Sequence, residues 1–213
     1  MKPTFDLTLY LVTDSGLNAA ASLPDAVEQA IKGGVTLVQL REKTADSRDF
    51  YEKALQVKAV TDRYGVPLII NDRLDIAQAV NAAGVHLGAE DIPVDAARKI
   101  LGDDKIIGAT AKTLAQALAA EKNGADYLGC GAMYLSTAKP GALPMSKEML
   151  SEILATVHIP VVAIGGISER NVQEIIPLGV NGVAVVSAII AQEDITAAAA
   201  RLRRLIDESN ISG

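Results

Sequence analysis

The sequence predicts an α/β fold, a single (β/α)8 TIM barrel of near-minimal size occupying residues 1–213. Three observations predict it. Eight short runs rich in Val, Ile and Leu alternate with segments whose apolar residues recur at helical spacing. Glycine followed by valine or alanine recurs at Gly34-Val35, Gly84-Val85, Gly124-Ala125 and Gly182-Val183, a cadence of about 25–30 residues per unit with some units skipped. Polar residues follow the runs, as expected where parallel strands end on a common rim. The rival is an open doubly wound sheet. That fold usually carries a glycine-rich fingerprint after its first strand, and Thr13-Asp14-Ser15-Gly16 is not one.

The elements follow in order. Leu7–Thr13 reads as strand one. Leu23–Lys32 is helix one, with Ser22 as its N-cap, Pro24 in its first turn and Gly33-Gly34 as its stop. Val35–Leu40 is strand two, and Asp46–Tyr64 is helix two, stopped by Gly65. Pro67–Asn71 is strand three; its proline stands where no ladder donor is needed. The spacing predicts a helix over Asp72–Ala83, then strand four over Gly84–Leu87 and helix four over Val94–Leu101. Lys105–Thr110 is strand five, Leu114–Asn123 helix five and Asp126–Cys130 strand six. A long loop, Gly131–Pro144, precedes a helix in Met145–Val157; loops of that length tend to carry function. Val161–Ile164 is strand seven. Glu169–Pro177 reads as helix seven, capped by Ser168. Gly182–Val186 is strand eight, and the chain is helical onward to about residue 207.

Composition excludes several function classes. With 213 residues, 49% of them hydrophobic, the chain suits one large core. A net charge of −6 and only 3% aromatic residues argue against nucleic-acid and anionic-membrane partners. No apolar stretch is long enough to span a bilayer. The N-terminal apolar run lacks a cleavage site and reads as a strand rather than a signal peptide. Cys130 alone excludes an internal disulfide and a cysteine zinc cluster, and a reduced buried thiol fits a cytoplasmic protein. Nothing in the composition forbids a homo-oligomer.

Candidate site residues come from the strand ends, where barrels of this kind keep their reactive groups. Strand two supplies Gln39, Arg41 and Lys43, alternate residues on one side of an extended chain. Strand three supplies Asn71 and Asp72, and the loop after strand four supplies Asp91. Two carboxylates at one mouth suit Mg²⁺, which takes one or two carboxylates and completes its shell with water and phosphate. The competing reading makes Asp72 and Asp91 plain helix caps. Strand five supplies Thr110, the loop after strand six Ser136, Thr137 and Lys139, and the last two strands Gly165-Gly166 and Val186-Ser187. Three cations beside a metal site fit a pyrophosphate. The glycine turn and the backbone after strand eight fit a monophosphate. Together they call for two phosphorylated small-molecule substrates, one releasing pyrophosphate. His86 reads as a satisfied core histidine and Cys130 as packing.

Taken together, these residues resemble the thiamine-phosphate synthase family over almost the whole chain. The most specific pieces are Val38-Gln39-Leu40-Arg41-Glu42-Lys43, Ile70-Asn71-Asp72-Arg73 and Gly84-Val85-His86-Leu87-Gly88-Ala89-Glu90-Asp91; Val162-Ala163-Ile164-Gly165-Gly166-Ile167 agrees. The resemblance implies that Gln39, Leu40, Arg41, Glu42 and Lys43, with Asn71, hold an aminopyrimidine diphosphate. It implies that Asp72 and Asp91 bind Mg²⁺ and that Thr110 takes the place of a serine contacting the pyrimidine. Ser136, Thr137 and Ala138 would line the thiazole phosphate site, and Lys139 would reach the diphosphate. Gly166, Val186 and Ser187 would hold the thiazole phosphate through backbone N–H groups. Arg41, Lys43 and Lys139 would be the catalytic cations. The sequence departs from the family pattern at Ala138, where a hydroxyl is usual, and at Thr110 and Lys112, where serine and histidine are usual. The related thiazole tautomerases rely on a histidine where this chain has Ala132. A tautomerase and a non-catalytic thiazole-phosphate-binding protein are the alternatives within this resemblance; an epimerase or isomerase barrel lies outside it.

Overall fold

A computed structural model describes residues 2–17, 22–135 and 144–211. Eight parallel strands close into a ring in chain order: β1 (Leu9–Val12), β2 (Leu37–Leu40), β3 (Leu68–Asn71), β4 (Gly84–Leu87), β5 (Ile106–Ala111), β6 (Tyr127–Gly131), β7 (Val161–Ile164) and β8 (Gly182–Val185). Each pairs with its sequence neighbour, and β1 closes the ring on β8. The (β/α)8 barrel is therefore the fold, and one rim collects every strand's carboxyl end.

The helices are α1 (Leu23–Lys32), α2 (Ser47–Tyr64), α3 (Leu74–Ala79), α4 (Val94–Leu101), α5 (Leu114–Lys122), α6 (Lys147–Thr156), α7 (Ser187–Ile190) and α8 (Ile195–Ile211). Local chemistry sets most starts. The side chains of Ser22, Asp46, Thr113 and Ser146 each accept a backbone N–H from the first turn of α1, α2, α5 and α6. Gly65, left-handed at φ 66°, ends α2.

Apolar residues sort into two clusters. The larger lies between strands and helices and includes Leu11, Val38, Phe50, Ile70, Leu128 and Leu202. The smaller fills the barrel interior with Tyr10, Leu37, Ile69, Ile106, Tyr127, Val162 and Ala184. Period-two alternation along each strand supplies both.

Two expected helices differ. The helix expected over Asp72–Ala83 is only Leu74–Ala79, because Asp72 is left-handed at φ 62° and Asn81 at φ 51°. The helix expected over Glu169–Pro177 is instead two tight turns, Val172–Glu174 and Ile176–Leu178. Pro177 has no N–H and crowds the carbonyl four residues back, and the residue before it is biased out of the helical region. Bonds between residues three apart replace the helical ladder there, as from Ile175 to Val172 and Leu178 to Ile175.

The interior depends on a bare glycine. A Cβ on Gly108 would fall 2.1 Å from Cζ of Tyr127. Gly108→Ala should destabilise the barrel by about 1–3 kcal/mol, lowering the melting temperature by roughly 2–4 °C for each kcal/mol. An unchanged melting temperature would contradict this packing.

Candidate active site at the carboxyl rim

The rim is built strand by strand. After β2 the main chain is fastened to β1: Thr13 N–H donates to Gln39 O at 2.9 Å, and Arg41 N–H donates to Thr13 Oγ1 at 3.1 Å. Gln39 lies inside the barrel mouth, 3% exposed. Arg41 Nη1 pairs with Asp14 Oδ2 at 3.0 Å. Glu42 is held by Lys53 at 3.1 Å and by the Ser15 hydroxyl. Leu40 is fully buried in the cluster between strands and helices, so its main chain is the part that could face a ligand.

After β3, the left-handed backbone of Asp72 turns the chain sharply, and its N–H donates to His86 O at 2.9 Å. Lys43 Nζ lies 2.5 Å from Asp72 Oδ2. After β4, Asp91 Oδ2 accepts the N–H of Gly88 at 2.6 Å, closing the loop onto itself. The Asp72 and Asp91 carboxyls approach each other across this gap closely enough for each to shift the other's proton affinity. Neither acts as a helix cap: the cap positions of α3 and α4 are Arg73 and Pro93, and neither makes a side-chain cap bond.

The carboxyl pair is electrostatically uneven. Burial pushes the Asp72 carboxyl up, but hydrogen bonds from Asp91 and Lys43 outweigh it and hold Asp72 below the ordinary carboxylate range. Burial and the neighbouring Asp72 both push Asp91 up. Two carboxylates this close repel, and a cation between them relieves the repulsion. Among the described residues no cluster of three or more His, Cys, Asp or Glu could hold a metal by itself. A two-carboxylate set fits Mg²⁺ that shares its shell with water and phosphate, rather than zinc or calcium in an all-protein cage.

Across the mouth, Gly165 and Gly166 are left-handed at φ 100° and 67°. A Cβ on Gly166 would meet Leu135 O and Tyr134 Cβ, both at 2.7 Å, so the turn tolerates only glycine. Val186 precedes the short helix α7, which opens at Ser187; turns after the last two strands and a short extra helix form the usual barrel seat for phosphate. Thr110, one residue before the end of β5, is half-buried, its Oγ1 at 3.1 Å from His86 Nε2. Burial pushes the His86 imidazole down to about 4, and the Cys130 thiol up to about 12. The imidazole is thus neutral at physiological pH, and the thiol is inert.

Described residues from strands β2, β3, β4, β5, β7 and β8 therefore share one rim, as the sequence implies. Ser136, Thr137, Ala138 and Lys139 lie outside the described residues. Sequence reasoning missed Asp14, the partner of Arg41, and it missed Tyr10 and Tyr127, whose hydroxyls meet each other inside the barrel, Tyr127 also reaching His86. Two tyrosines at inward strand positions in an aromatic-poor chain were the available signal.

Fold and rim define a (β/α)8 barrel with its paired acids, cations and glycine turns gathered at the catalytic end. The thiamine monophosphate synthase family matches residues 9–189. A thiamine-phosphate synthase of Ruminiclostridium cellulolyticum is 54% identical over 202 residues, covering 95% of this chain and 96% of that one. Another, from Chloroflexus aurantiacus, is 48% identical and covers 94% and 93%. The solved thiamine phosphate pyrophosphorylase of Pyrococcus furiosus superposes with a TM-score of 0.87 at 40% identity, covering 95% and 96%. The chain belongs to the thiamine monophosphate synthase family and is a transferase of thiamine biosynthesis.

The uneven pair carries a pH signature. A raised Asp91 pKa in the folded state lowers stability above the ordinary carboxylate range, and the penalty vanishes below it. Asp91→Asn should therefore melt at or above the wild-type temperature at pH 7 without divalent cations, the gain disappearing as pH falls through the carboxylate range. A clear loss of stability at pH 7 would mean that Asp91 is a structural anion.

Proposed function

We propose that this barrel joins 4-amino-5-hydroxymethyl-2-methylpyrimidine diphosphate to a thiazole phosphate, giving thiamine phosphate and pyrophosphate in a Mg²⁺-dependent reaction. The observation that carries the reading is the Asp72–Asp91 pair beside Lys43 on a rim that also presents Arg41 and a glycine turn.

The chemistry needs little acid–base work. The bond between the pyrimidine methylene carbon and the diphosphate oxygen breaks, and its electron pair leaves with pyrophosphate. The 4-amino group on the ring stabilises the resulting benzylic-type cation. The thiazole nitrogen lone pair then forms the new C–N bond, leaving the positive charge on the thiazolium. Asp72 and Asp91 would hold Mg²⁺, which when bound neutralises charge building on the departing diphosphate. Lys43 and Arg41 are paired with Asp72 and Asp14 here. Their ammonium and guanidinium groups are close enough to the rim to exchange those partners for phosphate oxygens. Lys139 is assigned the same role from its place in the sequence. The turn at Gly166 and the backbone at Val186 and Ser187 would hold the thiazole phosphate on the opposite side. Holding both reactants in line lowers the remaining barrier. Among the described residues, Cys130 is buried with its pKa pushed up and no nucleophilic dyad is needed.

Mixing both substrates with the protein, with and without Mg²⁺, should release pyrophosphate and thiamine phosphate only in the first case. Tautomerisation of a thiazole without pyrophosphate release would replace this reading with an isomerase. Binding of a thiazole phosphate without turnover would replace it with a ligand-binding protein. Asp91→Ala should keep the fold and lose about a hundredfold or more in turnover, since a metal contributes several kcal/mol of charge stabilisation. Wild-type turnover in that variant would remove the metal assignment. Lys139→Ala should slow the reaction by more than a few-fold; an unchanged rate would remove it from the diphosphate.

A further inference from the structure

We propose that Gln39, Tyr10, Tyr127, His86 and Thr110 form a one-way hydrogen-bond relay that fixes the Thr110 hydroxyl as a donor toward the mouth. It thereby selects a pyrimidine whose ring nitrogen accepts. This rests on the aminopyrimidine diphosphate reading above and names the groups that read its ring edge.

The direction follows from counting protons. Gln39 Nε2–H donates to Tyr10 Oη at 2.7 Å. Tyr10 Oη and Tyr127 Oη are 2.8 Å apart. A phenol has one proton to give. Tyr10 accepts from Gln39, so its proton goes to its other partner, Tyr127. Tyr127 then gives its own proton to His86 Nδ1, 3.0 Å away. That nitrogen must be bare, which places the ring proton on Nε2. Nε2–H donates to Thr110 Oγ1 at 3.1 Å. Thr110 therefore accepts from inside the barrel, and its single proton points away from His86, on the rim where the residue is half-exposed.

Reversal is costly. With Gln39 donating, any reversed link leaves a buried phenolic proton without an acceptor, a loss of about 1–3 kcal/mol. No buried side-chain nitrogen or oxygen among the described residues lacks a partner. Tyr10 and Tyr127 are 1% and 0% exposed, so water cannot scramble the chain. Burial holds both phenols in the protonated form.

The relay also has a built bed. A Cβ on Gly129 would lie 3.0 Å from His86 Cε1, and one on Gly108 would lie 2.4 Å from the Tyr127 hydroxyl. Two strands thus give up side chains where the phenol and imidazole run. The ring contacts support the same positions: Tyr127 lies edge-on to Tyr10 with centroids 6.0 Å apart and 5.5 Å from the His86 ring.

The chemical consequence is selection. In a 4-aminopyrimidine the ring nitrogen beside the amino group carries a lone pair and accepts from Thr110. In the 4-oxo analogue that nitrogen carries a proton, and donor would face donor. His86 and Tyr127 are positioning residues for this contact; they act through Thr110.

The test reads the relay and the ligand separately. The chain has two histidines, and His158 is exposed, so His158→Gln leaves His86 alone for ¹⁵N NMR. At pH 7 the spectrum should show a neutral ring protonated at Nε2, and adding Tyr127→Phe should abolish that preference. A ring protonated at Nδ1, or at both nitrogens, overturns the relay. By calorimetry, Tyr127→Phe should weaken the 4-aminopyrimidine diphosphate by roughly three- to tenfold and shrink its preference over the 4-oxo analogue by a similar factor. Thiazole phosphate affinity should be unchanged. An unchanged preference overturns the selection. The NMR result needs no turnover: the expected tautomer in a protein that never forms thiamine phosphate would sink the functional reading and leave the relay, whereas product formation with the wrong tautomer would do the reverse.

Discussion

In a closed ring of parallel strands, every strand runs out on the same rim, whatever the distance between its residues in sequence. That constraint makes neighbours of Arg41 after β2, Asp72 after β3 and Asp91 after β4. The proposed chemistry would use this arrangement, because a departing diphosphate must meet several charges at once. The opposite rim has a different character. There Arg98 ties Gly102, Lys105, Gly124 and Asp126 together with hydrogen bonds of 2.7–2.9 Å, a fastening of loops.

The mouth holds its charges in internal compensation. Arg41 rests on Asp14, Lys43 on Asp72, and Lys53 gathers Glu42 and Asp49. Exposed pairs of this kind contribute little to stability, and they keep the side chains near the positions a phosphate would occupy. Among the described residues, Asp91 is the member with no ion pair of its own. Burial and Asp72 both disfavour its charge, while the Gly88 N–H partly supports it. Two acids that disfavour each other's charge are consistent with strain kept for function.

Much of this was legible from residue order. The eight apolar runs marked the strands to within two residues, and the polar residues after them marked the rim. The helix cap at Ser22 and the stop at Gly65 were legible because their chemistry is local. What failed was also local, but hidden by periodicity. Ile175-Ile176-Pro177 has apolar residues at helical spacing, yet the proline divides the segment into two tight turns. Asp72 looked like a helix start, whereas its left-handed backbone is fixed by the N–H bond to His86 O, a contact across strands that no short-range pattern encodes. The Asp14–Arg41 pair and the Tyr10–Tyr127 contact join residues 27 and 117 apart. Such pairs follow from barrel closure and cannot be read from spacing. His86 was read correctly as satisfied, but its partners came only with the structure.

The central claim is that paired carboxylates hold a divalent cation against a diphosphate at this rim. Calorimetric titration of pyrophosphate into the protein, with and without Mg²⁺, tests it most directly. The account predicts binding that strengthens sharply with Mg²⁺ in the wild type and loses that dependence when Asp72 and Asp91 are both replaced by asparagine. Equal pyrophosphate affinity with and without the cation in the wild type, or an undiminished Mg²⁺ effect in the double variant, would contradict it.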